Sequence, residues 1–272
     1  MRHALDNQDW HRRAQAVAHD IRSKALEMTI ARGMSYLGQA CSAAEILSAI
    51  HVQSMDRGRG DGFVLSPSHY ALPLWAMLVA LGELSEDEFN TFQQDGSPLD
   101  LIPSGEVPGT IFSIGSLGQG LSQAVGLALA RRLRGEQGKI FVLVSDGELQ
   151  EGQTWEALMT CGHYQLVNLV ILFDLNDSQV DGSVDRVMRI DPVVEKLQAF
   201  GLDAAEIDGH DLHAIANAIE AGDGKRTRAI ACRTCIWKGI PSLSHREKLH
   251  MVSFTKDEAE LARNDLAKGA SA

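Results

Sequence analysis

Two stretches decide how this chain folds: Ile140-Phe141-Val142-Leu143-Val144-Ser145-Asp146-Gly147-Glu148 and Leu169-Val170-Ile171-Leu172-Phe173-Asp174-Leu175-Asn176-Asp177-Ser178. Each opens with an unbroken apolar run of strand length, as expected of a strand buried on both faces. Thr154 to Tyr164, between them, has the length of the crossover helix that a parallel strand pair requires. Asp146 and Asn176 are thereby predicted at the carboxyl ends of neighbouring parallel strands, where open α/β sheets hold ligands. An Asp carboxylate, an Asn amide oxygen and the backbone carbonyl of Ser178 suit a hard cation such as Mg²⁺. Such an ion completes its shell with water and phosphate oxygens.

Working outward, apolar residues at helical spacing (Ala14, Val17, Ile21, Ala25, Met28) predict a helix over Asp9 to Ala31. Ser42-Ala43-Ala44-Glu45 reads as a capping box opening a second helix before Ile46 to Ile50, and Ser85 to Glu88 as another, opening a helix to about Phe92. A strand is predicted over Asp61 to Ser66, a buried helix over Tyr70 to Leu81 and an apolar helix over Gly120 to Leu133. Asp95 to Ile114 is a long Gly/Pro-rich connection, of the kind that is usually functional. The remainder alternates: helix near 192–199, strand 203–207, helix 211–221, strand 228–236, and a final helix capped by Thr255 to Glu258. The fold class is therefore α/β, a mostly parallel sheet with helices on both faces.

With 272 residues and no linker-like stretch, the chain reads as one domain over 1–272 with an N-terminal helical extension. A net charge of −11 argues against nucleic acid or an anionic membrane as partner, and means that any diphosphate is met locally by a metal and helix dipoles. The longest apolar run, near Leu74 to Leu81, is too short to span a bilayer, and Met1 to Trp10 shows no secretory signal, so a cytoplasmic location is expected. Cys232-Arg233-Thr234-Cys235 matches a C-x-x-C pattern, but in a strand residues three apart face opposite ways, and packing is the expected role.

Asp146-Gly147-Glu148 followed thirty positions later by Asn176 resembles the thiamine diphosphate signature, Gly-Asp-Gly … Asn. The likeness is to the N-terminal region of transketolases, and in particular to the short chains that form the first half of a split transketolase. Ser66-Pro67-Ser68-His69, Gly115-Ser116-Leu117-Gly118-Gln119-Gly120, Ser145 to Gly152 and Asp174 to Gly182 follow one another in family order. The resemblance implies a thiamine diphosphate-binding fold of the diphosphate-binding type. Asp146, Asn176 and the Ser178 carbonyl would bind Mg²⁺ (or Ca²⁺), and Gly147 and Glu148 would approach the cofactor. Gly115, Ser116 and Leu117 would hold its aminopyrimidine. His69 would lie over the diphosphate and reacting centre. His250, or His245 in a competing alignment, would face phosphate and substrate, and Glu151 would stand at a subunit interface in a catalytic role.

The sequence departs from the pattern in places. Ser145 stands where Gly is usual, and Pro67 and Ser68 replace Lys and Gly before His69. Tyr36 occupies the place of an early sugar-facing His, which makes it a substrate-facing candidate, and Pro98 to Pro103 lacks a second such His. These changes bear on the substrate rather than on the cofactor. In the family the cofactor acts as electron sink for breaking a C–C bond beside a carbonyl, and the Glu that activates it belongs to a following pyrimidine-binding domain. The chain ends near Ala272 without one, so the expectation is a subunit inactive alone. Its expected partner is a C-terminal transketolase-like subunit carrying that domain and Glu, in an α2β2 heterotetramer acting on small molecules. Three functions stay open: a split transketolase transferring a ketol fragment, an E1-type subunit decarboxylating a 2-oxo acid, and a non-catalytic scaffold of the same fold.

Overall fold

The computed structural model describes residues 7–101, 109, 111–112, 115–246 and 248–269. Five strands, β1 (Gly62–Leu65), β2 (Ile140–Ser145), β3 (Leu169–Leu175), β4 (Asp203–Asp208) and β5 (Arg228–Arg233), form one sheet in the order β1-β2-β3-β5-β4. Every pairing is parallel. Ser145 stands opposite Asp174 in the β2–β3 register, so the two strands deliver their carboxyl ends side by side.

The alternation of side chains splits the core in two. On one face Phe63, Leu65, Phe141, Leu143, Val170, Leu172, Ile230 and Cys232 pack under α1 (Asn7–Arg32), α2 (Leu37–Ala49) and α3 (Ala71–Ala80), with α9 (Leu212–Glu220) and α10 (Lys256–Gly269) beside them. On the other Val64, Val142, Val144, Ile171, Phe173 and Ala231 meet α5 (Gln119–Arg134), α6 (Gly152–Tyr164) and α8 (Val193–Ala199). Two short helices, α4 (Glu86–Phe89) and α7 (Val184–Val187), complete the set. The fully buried patterns of β2 and β3 follow from cover on both faces, and the half-exposed β4 is an edge strand.

The Ser85 capping box is present, with Ser85 accepting from the Glu88 N–H. So is the Thr255–Glu258 pair before α10. The Ser42 box is not. α2 begins five residues earlier, at Leu37, and Ser42 sits in its buried interior with its hydroxyl turned to Asp174. Glu45, the expected capping partner, instead binds Arg22 and His210. β5 ends at Arg233, short of the predicted 236, so Cys235 lies beyond the strand while Cys232 is buried within it; both are free thiols. Much of the connection predicted over 95–114 lies outside the described residues. No helix of the described residues is long and apolar enough to cross a membrane.

Candidate functional site

A cavity of about 470 Å³ opens over the carboxyl ends of β2 and β3. Its floor is the turn that ends β2. Asp146 is only 3 % exposed; its Oδ1 accepts from the Gly147 N–H at 2.8 Å and its Oδ2 from the Asp177 N–H at 2.9 Å. Burial, and next the Asp174 carboxylate nearby, push its carboxyl up to about 8. Among the described residues no Lys or Arg pairs with it. A carboxylate so placed calls for a cation as counter-charge.

Asn176, at the end of β3, is set just behind the cavity wall. Its Oδ1 accepts from the Ser178 N–H at 3.0 Å, which leaves a second lone pair, while its Nδ2 donates to Tyr70, Asp174 and Ser42. Asp177, at φ 57°, makes the left-handed turn that brings Ser178 to the cavity edge. Among the described residues no three His, Cys, Asp or Glu side chains converge on a metal position. The expected donors, one carboxylate, one amide oxygen and one carbonyl, are of the kind that suits a hard cation keeping phosphate and water ligands. A Cβ on Gly147 would meet only the Gln179 side chain, at 3.7 Å, and would stand in the cavity space that an anion needs. The residues fit a metal-bound diphosphate.

Asp174, overlooked in the sequence, anchors this arrangement. It is wholly buried, and its carboxylate accepts from Ser42 at 2.6 Å, Tyr70 at 2.7 Å, Asn176 at 3.1 Å and Thr234. Three donors from other segments, Ser42, Tyr70 and Thr234, thereby fix the carboxylate that orients the Asn176 amide. A sequence signal exists: a carboxylate inside an otherwise apolar buried strand demands partners. Burial and Asp174 together hold the Tyr70 phenol far above its ordinary range, so it remains a donor.

Glu148 does not reach the cavity. It is wholly buried, and its carboxylate accepts from Ser66, from the Gly118 N–H at 2.9 Å and from the Ser145 N–H at 2.9 Å. It ties the glycine loop to the β2 turn. Gly118 there has φ 80°, and a Cβ on Gly120 would lie 2.5 Å from the Ser66 Cα. Gly115 and Leu117 line the cavity; Ser116 is exposed, outside the lining. Glu151 stands exposed at the mouth and caps no group of α6 with its side chain.

Opposite the floor, Tyr36, His69 and His250 form an aromatic wall with ring centroids 5.0–5.5 Å apart. Burial, and next His250, bring His69 down to about 3; burial also lowers His250, with a hydrogen bond to the Ser178 backbone opposing. Both rings are neutral near pH 7. His245 is exposed and outside the cavity lining, whereas His250 is in it. His210 and His213 lie elsewhere: His210 bridges Glu45 and the Cys235 N–H, and His213 stacks on His11.

A parallel α/β sheet with an acidic, glycine-lined cavity at its carboxyl edge is the architecture of a ligand-binding α/β domain. The family profile described as transketolase, thiamine diphosphate binding domain, matches residues 15–270. The chain belongs to the transketolase family and is its thiamine diphosphate-binding N-terminal domain. It is 37 % identical over 253 residues to the transketolase family protein y4mO of Sinorhizobium fredii, covering 89 % of this chain and 90 % of that one. It is 33 % identical over 241 residues to an apulose-4-phosphate transketolase subunit of Actinobacillus succinogenes, covering 85 % and 87 %. Human transketolase-like protein 2 is 32 % identical, but the chain spans only 40 % of its length. The crystal structure of Campylobacter jejuni transketolase superposes with a TM-score of 0.85 at 25 % identity, covering 94 % of this chain and 43 % of that one.

Proposed function

We propose that this chain is the diphosphate-binding subunit of a two-chain transketolase-like enzyme, transferring a two-carbon ketol fragment between sugar-type substrates. The observation that carries the reading is the cavity itself, which joins Asp146, Gly147 and Ser178 to His69, His250 and Tyr36 over the sheet edge. The match to a chain named as one subunit of a transketolase, over 87 % of that chain, supports the two-chain part.

Asp146, Asn176 and the Ser178 carbonyl would hold Mg²⁺ (or Ca²⁺), and Gly147, Gly115 and Leu117 would line the cofactor's bed. When bound, thiamine diphosphate supplies an electron sink for cleaving the bond beside a carbonyl. His69 and His250, kept neutral by burial, offer hydrogen bonds to substrate without adding charge. Glu151, exposed at the cavity mouth, would meet a partner subunit whose pyrimidine-binding domain brings the activating Glu. Two such heterodimers would pair into an α2β2 assembly, as the family resemblance implies.

Decarboxylation of a 2-oxo acid draws support from Tyr36 standing where the family's sugar-facing His stands. Against it, no Lys or Arg among the described residues lines the cavity to meet a substrate carboxylate. The test is mass spectrometry of what co-purifies with the tagged chain from its source, followed by ketol-transfer assays with Mg²⁺ and thiamine diphosphate. A pyrimidine-binding transketolase half at equal stoichiometry, and activity only with it, is the expected result. A lipoyl acyltransferase would favour the oxo-acid reading. Ketol transfer by the isolated chain would refute the two-chain reading.

A further inference from the structure

Thr234, in the Cys232 to Cys235 segment that leaves β5, reaches the buried Asp174 from a direction of its own. Ser42, Tyr70 and Asn176 all donate to Oδ2 of Asp174, whereas among the described residues only the Thr234 hydroxyl donates to Oδ1. The last torsion of an Asp side chain is soft, so a carboxylate held at one oxygen can swing and one held at both cannot. Asn176, donating from Nδ2 to that same Oδ2 at 3.1 Å, takes its orientation from the carboxylate. Thr234 is itself pinned. Its N–H donates to the Leu175 carbonyl at 3.1 Å, the Gly209 N–H donates to the Arg233 carbonyl at 2.8 Å, and the Cys235 N–H donates to Nε2 of His210 at 2.8 Å. A Cβ on Gly209 would lie 2.4 Å from the Thr234 Cγ2. The Thr234 methyl therefore packs on the bare backbone of Gly209, which leaves the hydroxyl facing Asp174.

We propose that Thr234 is a positioning residue for the expected metal ligand Asn176, with the Asp208 to His210 turn as its seat. Its hydroxyl locks the Asp174 carboxylate, and the carboxylate fixes the direction in which Asn176 presents Oδ1. The inference rests on the metal site proposed above, and its consequence is a preference between cations. Mg²⁺ demands near-ideal octahedral ligands, whereas Ca²⁺ accepts a looser geometry. An Asn176 amide free to swing therefore harms Mg²⁺ more than Ca²⁺.

The test is calorimetric titration of thiamine diphosphate into the full chain, once with Mg²⁺ and once with Ca²⁺. Thr234→Val keeps the packing shape and removes the hydroxyl. It is expected to lose about tenfold in Mg²⁺-supported affinity, the worth of one hydrogen bond to a charged group, and about twofold or less with Ca²⁺. Thr234→Ser keeps the hydroxyl but not the methyl that Gly209 seats. Its ratio of Mg²⁺- to Ca²⁺-supported affinity is expected to fall by about threefold, a result readable even if Thr234→Val does not fold. A purely structural role for Thr234 would lower the melting temperature and weaken binding equally with both metals, and would overturn the proposal. So would a ratio in Thr234→Ser equal to that of wild type. A wild type without metal-dependent binding would refute the metal assignment itself, and is told apart because it shows in the unsubstituted chain.

Discussion

Asp146 and Asp174 sit at neighbouring strand ends, yet their environments give them opposite tasks. Asp146 has two backbone N–H donors and open cavity beside it, so it retains lone pairs for a cation. Asp174 is filled by four side-chain donors and has none to spare in practice. Asp146→Ala is therefore expected to abolish Mg²⁺-dependent binding of thiamine diphosphate by calorimetry with little change in fold; unchanged binding would remove Asp146 from the metal site. Asp174→Ala strands buried hydroxyl and amide donors and should cost at least about 3 kcal/mol in denaturant unfolding. It should also weaken metal binding, because the Asn176 amide loses its anchor. Stability equal to wild type would contradict the network.

Among the elements, two motifs of the same local form, Ser-x-x-Glu, do different things. Ser85 caps an exposed helix, and Ser85→Ala should cost about 1 kcal/mol with cofactor binding intact. Ser42 lies inside α2 and donates to a carboxylate 132 positions away, so Ser42→Ala should cost about 1.5–3 kcal/mol and reduce cofactor affinity as well. Equal effects of the two substitutions on cofactor affinity would defeat that distinction. The capping signature is local, and nothing local reports that α2 has already begun at Leu37. The glycine loop obeys the same logic. Gly120→Ala drives a Cβ against the Ser66 backbone, and an overpacking cost of about 1–3 kcal/mol is expected, with the loop displaced from the cavity. Unfolding curves superimposable on wild type would show that α5 does not need the close approach.

Across the whole molecule, half-buried histidines contribute to the response to acid. His51, on the last turns that follow α2, donates from Nδ1 to the Leu47 carbonyl at 3.0 Å, and burial lowers it to about 4 from an ordinary 6.5. The unfolded chain therefore binds a proton that the folded chain refuses between about pH 6.5 and 4. Stability contributed by this group is complete above 6.5 and lost as pH falls through that window. Asp146, raised in the fold, works in the opposite sense over 3.8 to about 8, so the clean measurement is a difference. His51→Gln is expected to remove up to about 3 kcal/mol of the wild type's acid-side loss between pH 6.5 and 4. Parallel stability–pH curves for the two proteins would show that His51 titrates normally.

Much of this architecture was legible in one dimension, because strand burial and helix amphipathicity leave periodic traces that need no partner to be read. The runs 140–144 and 169–173, the crossover helix between them and the carboxyl-end placement of Asp146 and Asn176 followed from those traces alone, and the spacing between the two residues pointed to the family. Side-chain destinations left no such trace. That Glu148 turns inward to Ser66 and Gly118, that Ser42 and Tyr70 converge on Asp174, and that Thr234 reaches the same carboxylate from 60 positions away were decided by packing. Backbone pattern is a property of near neighbours along the chain, whereas a buried polar atom binds whichever partner the completed fold brings within hydrogen-bond reach.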